Sequence, residues 1–261
     1  MSIENKTCFV LDLDGTVYLG NNPIPGAVAF IRNHWASIDF YFLSNNTSKG
    51  LETYITKLNR MGIAATPERF LSPTEPLVHY LRAGGLTRAY LVGNADYTRT
   101  LQNAMPELQL TETGAELVII AYDTELTYHK LVVSAHLLQK PEVGFVATHP
   151  DLVCPDPAGP LPDVGSFLAL YEKAVNRRPT HIFGKPDPKV LAPLLARYKR
   201  ENMVMVGDRL STDKKLAENA GIDFVLVLSG EATLEDLAGE TVKPWKVLNH
   251  LGEIVDSQPS A

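Results

Sequence analysis

Short apolar runs alternate with amphipathic stretches along almost the whole chain. Cys8-Phe9-Val10-Leu11 is apolar throughout and too short for a surface helix, so it reads as a strand buried on both faces. Runs over 40–43, 89–92, 117–120, 143–146, 181–184, 203–206 and 224–228 read the same way. Between them helical spacing recurs: over 26–37, after Ser48 with Leu51, Ile55 and Leu58 on one face, and over 73–83. It recurs again through Tyr128, Leu131, Val132, Ala135 and Leu138, over 188–199, and over 211–220 with Gly221 closing the last helix. Repeated strand–helix alternation predicts an α/β protein built on a doubly wound parallel sheet with helices on both faces. The middle of the chain forms a second alternating unit, punctuated by Gly84-Gly85 and by Arg177-Arg178-Pro179. The expected organisation is therefore a core over 1–83 and 179–261, with an α/β cap inserted over 84–178. The proline-rich stretch 155–162 is expected as an ordered loop and 257–261 as a frayed end.

The ends of these runs carry the chemistry. The first strand stops in Asp12-Leu13-Asp14-Gly15-Thr16. Alternation along an extended chain points Asp12 and Asp14 the same way, roughly 6–7 Å apart. That gap straddles one phosphoryl group, with a nucleophile on one side and a proton donor on the other. Two like charges so close require a counter-cation, and hard oxygen donors favour Mg²⁺. The second strand ends in Ser44-Asn45-Asn46, a hydroxyl and amides able to donate to phosphate oxygens. A third ends in Gly184-Lys185-Pro186, and a fourth in Gly207-Asp208-Arg209, followed by Thr212-Asp213. Ligands of open α/β sheets bind beyond the carboxyl ends of the strands, so these groups are expected to converge. Each motif alone is also explained by an ordinary turn or helix cap; the set, in this order, is not.

Composition narrows the partner. The chain has 261 residues, 45% hydrophobic and 21% charged, with a net charge of −6 and no sustained basic run. This argues against nucleic acid and membrane surfaces, and it requires that any anionic ligand be met by a few placed cations. The two cysteines, Cys8 and Cys154, fit neither a metal-ligand spacing nor a disulfide framework. Residues 1–7 are polar, no stretch reaches the roughly 18 apolar residues of a membrane helix, and the expected compartment is the cytoplasm. No exposed apolar stripe can be assigned to an interface, so a homo-oligomer stays open.

With these residues on the page, the chain resembles the haloacid dehalogenase superfamily of phosphohydrolases, in the NagD/4-nitrophenylphosphatase branch with a large cap between its second and third motifs. The resemblance implies Mg²⁺-dependent hydrolysis of a small phosphorylated metabolite. It implies Asp12 as nucleophile and Asp14 as general acid and base. It implies Ser44, the Asn45 amide and Lys185 on the phosphoryl oxygens. The metal would be held by the Asp12 carboxylate, the Asp14 carbonyl and Asp208, with Asp213 orienting that set without touching the ion. A phosphotransferase or mutase begins with the same chemistry, and a non-catalytic phospho-ligand sensor could keep the fold; phosphate release separates them. In the cap, Thr148, His149 and Asp151 are the expected substrate contacts. His149 stands where this branch carries an asparagine, and Asp163 is expected to cap the following helix.

Overall fold

The computed structural model describes residues 3–156 and 158–254, so the expectation for 257–261 lies outside the described residues. In chain order the principal strands are β1 (Cys8–Leu11), β2 (Asp39–Leu43), β3 (Phe70–Leu71), β4 (Arg88–Val92), β5 (Gln109–Leu110) and β6 (Leu117–Ile120). They continue with β7 (Gly144–Ala147), β8 (His181–Ile182), β9 (Met203–Gly207), β10 (Asp223–Val227) and β11 (Lys246–Leu248). The helices are α1 (Pro25–His34), α2 (Leu51–Arg60), α3 (Thr74–Ala83), α4 (Ala95–Ala104), α5 (Tyr128–Leu138), α6 (Val164–Val175), α7 (Ala192–Leu195) and α8 (Lys215–Ala220).

The chain divides into two compact units. One comprises Met1–Ser44, Tyr54–Leu71 and Lys185–Ala261; the other comprises Asn45–Thr53 and Ser72–Gly184. The first is built on a six-stranded sheet of order β11-β10-β9-β1-β2-β3, parallel throughout. β1 lies at its centre and is buried at every position. Cys8 and Val10 face a cluster with Tyr41, Leu43, Leu191, Met205 and Leu216. Phe9, on the opposite face, packs its ring against Phe30 of α1 and Phe40 of β2 at centroid distances of 5.9 and 5.6 Å. Burial on both faces explains why this strand reads as a continuous apolar run.

The second unit has its own parallel sheet of five strands, order β8-β7-β6-β4-β5. α3 contributes Leu77, Val78 and Leu81 to one face, and α5 and α6 contribute Leu137, Leu138, Phe167 and Tyr171 to the other. Strand β8 differs from expectation: it pairs with β7 at the edge of this sheet and not in the core sheet. Phe183 accounts for this, because it is buried in the cluster formed by Leu77, Leu91, Ile119 and Val146. The expected helix over 188–199 is broken into a 3₁₀ turn, Pro188–Leu191, and the short α7. Pro193 lacks the N–H that a continuous helix would need. The stretch expected as a loop ends in a strand: Leu161–Pro162 pairs antiparallel with Val153–Cys154 in a small hairpin.

Candidate active site

β1 ends where its last neighbour's hydrogen bond is still made: the Asp12 amide donates to the Val206 carbonyl at 2.9 Å. The Asp12 side chain is therefore delivered from the centre of the sheet at its carboxyl edge. Three residues on, Gly15 adopts φ +87°, a left-handed conformation open to glycine, and its amide donates to the Tyr18 carbonyl at 2.7 Å. This turn leaves Asp14 exposed, with its Oδ1 3.4 Å from the Gly20 amide. Asp208 follows the neighbouring strand β9 and Ser44 follows β2, so these groups share one edge of one sheet.

Lys185 organises the centre. Its ammonium is buried, bonded to Asp12 Oδ1 and 2.7 Å from Asp213 Oδ1. Asp213 sits on a π-helical turn, Leu210–Lys214, that runs into α8, and its Oδ2 accepts the Arg209 amide at 3.1 Å. Burial works against the charge on Lys185, but Asp12 and Asp213 overcome it and hold its pKa above the ordinary lysine value. Asp12 is pushed well above the carboxylate range, chiefly by burial; Lys185 opposes the shift, and Asp213 and Asp208 add to it. Asp208 rises to about 6, again through burial and then through Asp213.

Asp12, Asp208 and Asp213 can each present a carboxylate oxygen within 4.8 Å of the others. Three carboxylates, two of them buried, gather beside one buried ammonium. One Asp208 oxygen accepts the Glu231 amide at 2.7 Å, while its Oδ1 is buried without a hydrogen-bond partner among the described residues. An oxygen-only donor set with a buried free carboxylate oxygen fits a hard divalent cation such as Mg²⁺. Asp213, expected to stand back from the ion, lies in the same cluster with one oxygen committed to Lys185.

The remaining expected residues are placed in the second unit. Asn45 donates from Nδ2 to Asp151 Oδ1 at 3.1 Å. The segment after it is tied down by the Tyr122 amide on Thr47 Oγ1 at 2.9 Å and by Asn94 Nδ2 on the Ser48 carbonyl at 2.7 Å. Ser48 does not cap α2; its amide and hydroxyl both go to Asn46 Oδ1. Thr148 and His149 are fully buried. The imidazole lies between two carboxylates, Nδ1 3.8 Å from Asp151 and Nε2 3.6 Å from Asp163. Asp163 caps α6, as expected, accepting the Val164 amide at 2.6 Å. The sequence reading missed the loop Ser229-Gly230-Glu231 that holds Asp208; the signal was a Ser-Gly pair just past an apolar strand, at the edge where the other motifs gather.

Known proteins resemble this chain over nearly its whole length. A family profile described as haloacid dehalogenase-like hydrolase matches residues 9–105, and one described as HAD-hydrolase-like matches 182–254. The chain is 31% identical to an acid sugar phosphatase of Staphylococcus haemolyticus over 252 residues, covering 93% of this chain and 92% of the relative. A 4-nitrophenylphosphatase from Thermotoga maritima superposes with a TM-score of 0.89 at 35% identity, over 98% of both chains. A glycerol phosphate phosphatase from Mycobacterium tuberculosis, solved in complex with magnesium, superposes with a TM-score of 0.84 at 27% identity. That match covers 97% of this chain and 77% of the other.

Proposed function

The chain belongs to the haloacid dehalogenase-like hydrolases as a phosphatase of the NagD/4-nitrophenylphosphatase-like group, and on that footing we propose that it hydrolyses small organic phosphomonoesters through an aspartyl-phosphate on Asp12. The observation that carries this reading is the Asp12 carboxylate at the end of the central strand, bonded to the buried Lys185 and beside Asp208, whose second oxygen is free for a cation.

Asp12 attacks phosphorus in line, forming the P–O bond to its carboxylate as the bond to the leaving alcohol breaks. The exposed Asp14 gives its proton to the leaving oxygen. Asp14, now ionised, takes a proton from the water that cleaves the aspartyl-phosphate, so enzyme and proton balance are restored. Lys185 shifts part of its bonding from Asp12 to the phosphoryl oxygens, together with the Ser44 hydroxyl and the Asn45 amide. In a site this dry a fixed ammonium acts strongly on developing charge. Asp12, the Asp14 carbonyl and Asp208 would hold Mg²⁺, which when bound neutralises charge between carboxylate and phosphate. The inserted unit selects the leaving group. The named activities of the relatives, on sugar phosphate, 4-nitrophenyl phosphate and glycerol phosphate, support a short or sugar-sized ester.

The test is phosphate release from a panel of 4-nitrophenyl phosphate, sugar phosphates, glycerol phosphate and nucleoside monophosphates, with Mg²⁺ and with chelator. Release that needs Mg²⁺ and favours one ester class supports the reading. Transfer to an added alcohol without free phosphate would move it to a phosphotransferase, and ligand binding without turnover to a sensor.

A further inference from the structure

The groups expected to hold the cation are not held by their own strands alone. β10 lies beside β9 in parallel register, Leu226 level with Gly207, so the chain leaving β10 passes directly alongside Asp208. There Ser229, Gly230 and Glu231 wrap the carboxylate. Glu231 donates its amide to Asp208 Oδ2 at 2.7 Å, and the Ala232 amide donates to the Asp208 carbonyl at 3.0 Å. The approach is too close for any side chain at Gly230, since a Cβ there would stand 2.0 Å from Asp208 Oδ2. On the other side, a Cβ at Gly15 would stand 2.3 Å from the same oxygen. The carboxylate is thus threaded between two glycine backbones, with one oxygen spent on Glu231 and the other free.

Ser229 joins the two sides of this slot. Its hydroxyl donates to the Gly15 carbonyl at 2.6 Å, across 214 residues of sequence. The peptide before Gly15 is fixed as well, because its N–H is bonded to the Tyr18 carbonyl at 2.7 Å. In a trans peptide the carbonyl points opposite to the N–H, so the direction of the Asp14 carbonyl is set by that bond. Gly15 is therefore pinned through the peptides on both sides, one to Tyr18 and one to Ser229. A glycine at φ +87° left unpinned has more conformational freedom than any other residue.

We propose that Ser229 is a positioning residue for the cation site: its hydroxyl locks the Asp14-Gly15 turn to the loop that holds Asp208, so that the Asp14 carbonyl and the free Asp208 oxygen stay aimed at one ion. The inference rests on the reading of Asp12, Asp14 and Asp208 as the donors. Hydrogen bonds to the partners of metal ligands commonly control affinity by an order of magnitude or more.

The experiment is calorimetric titration of Mg²⁺ alone into substrate-free protein, for wild type, Ser229→Ala, Ser229→Thr and Asp208→Asn. Ser229→Ala is expected to raise the Mg²⁺ dissociation constant about tenfold. Ser229→Thr, which keeps the hydroxyl, is expected to restore it. At saturating Mg²⁺, KM for 4-nitrophenyl phosphate is expected to stay near wild type in Ser229→Ala. If that variant does not fold, Ser229→Cys, with similar volume and a weak donor, carries the same expectation. A lower melting temperature of the metal-free protein with an unchanged Mg²⁺ dissociation constant would overturn the proposal. Unchanged Mg²⁺ affinity in Asp208→Asn would instead overturn the donor assignment beneath it.

Discussion

Replacing Lys185 by methionine removes the cation that Asp12 and Asp213 share while roughly keeping the length of the side chain. Lys185 and Asp213 are 3% and 0% exposed, and Asp12 is 13% exposed, so solvent screens these pairs little. At about 3 Å and an effective dielectric of ~20, each pair is worth about 5 kcal/mol in gross attraction. Desolvating the ammonium offsets several kcal/mol of this, and the net stabilisation is correspondingly smaller. The cost of removal is larger than the net contribution, because Asp12 and Asp213 both lose their cation; about 3–5 kcal/mol is typical of such a broken pair. Asp12 limits the loss. Burial already favours its neutral form, so in the variant it takes up a proton. Urea unfolding at neutral pH in Mg²⁺-free buffer measures the effect. Repeating it in an Asp213→Asn background isolates the Lys185–Asp213 term, expected at about 1 kcal/mol or more of coupling. A loss below about 1 kcal/mol for Lys185→Met, with no coupling, would refute the argument that this lysine stabilises the folded site.

Two further outcomes follow from named contacts. Asp14→Asn is expected to lower kcat by about 10²-fold or more on an ester with a poor leaving group, and by less on 4-nitrophenyl phosphate, whose leaving group needs little protonation; equal losses on both would remove Asp14 from the acid role. At Asp39, burial opposes ionisation, but the Tyr198 hydroxyl at 2.6 Å and Arg69 at 2.7 Å prevail and hold its carboxyl below the usual value. A depressed folded pKa stabilises the protein above the unfolded value of about 3.9, and the gain disappears as pH falls through the folded value. Asp39→Asn is therefore expected to lower the urea midpoint at pH 7, with the difference closing as pH falls below about 4; a gap that widens in acid would contradict this.

The elements that were legible in sequence are those whose signal is local. β1 is an apolar run that ends in two acids, and no other arrangement satisfies both burial and charge as simply. Asp208 and Ser44 were legible for the same reason, each standing directly past an apolar strand. The sheet to which β8 belongs was not legible, because two residues carry no alternation from which to choose a partner; Phe183 decides it by packing into the second unit's core. Helix α2 lies where its spacing put it, but Ser48, the cap its sequence offers, is not used as one, because Asn46 Oδ1 takes both its amide and its hydroxyl. The Ser229 loop was missed because what it does is tertiary. It donates a hydroxyl and an amide to groups more than twenty residues away, and no spacing rule encodes that. The His149 ring lies between Asp151 and Asp163, and the distance in sequence between His149 and that helix cap gave no hint of their contact.

The central claim is that Asp12 is the nucleophile of a Mg²⁺-dependent phosphatase. The most direct measurement is the initial rate of phosphate release from 4-nitrophenyl phosphate by purified Asp12→Asn, beside wild type, at saturating Mg²⁺, with both proteins shown to be folded by their melting curves. The account predicts release by wild type and none above background by the variant. Turnover retained in Asp12→Asn would contradict it.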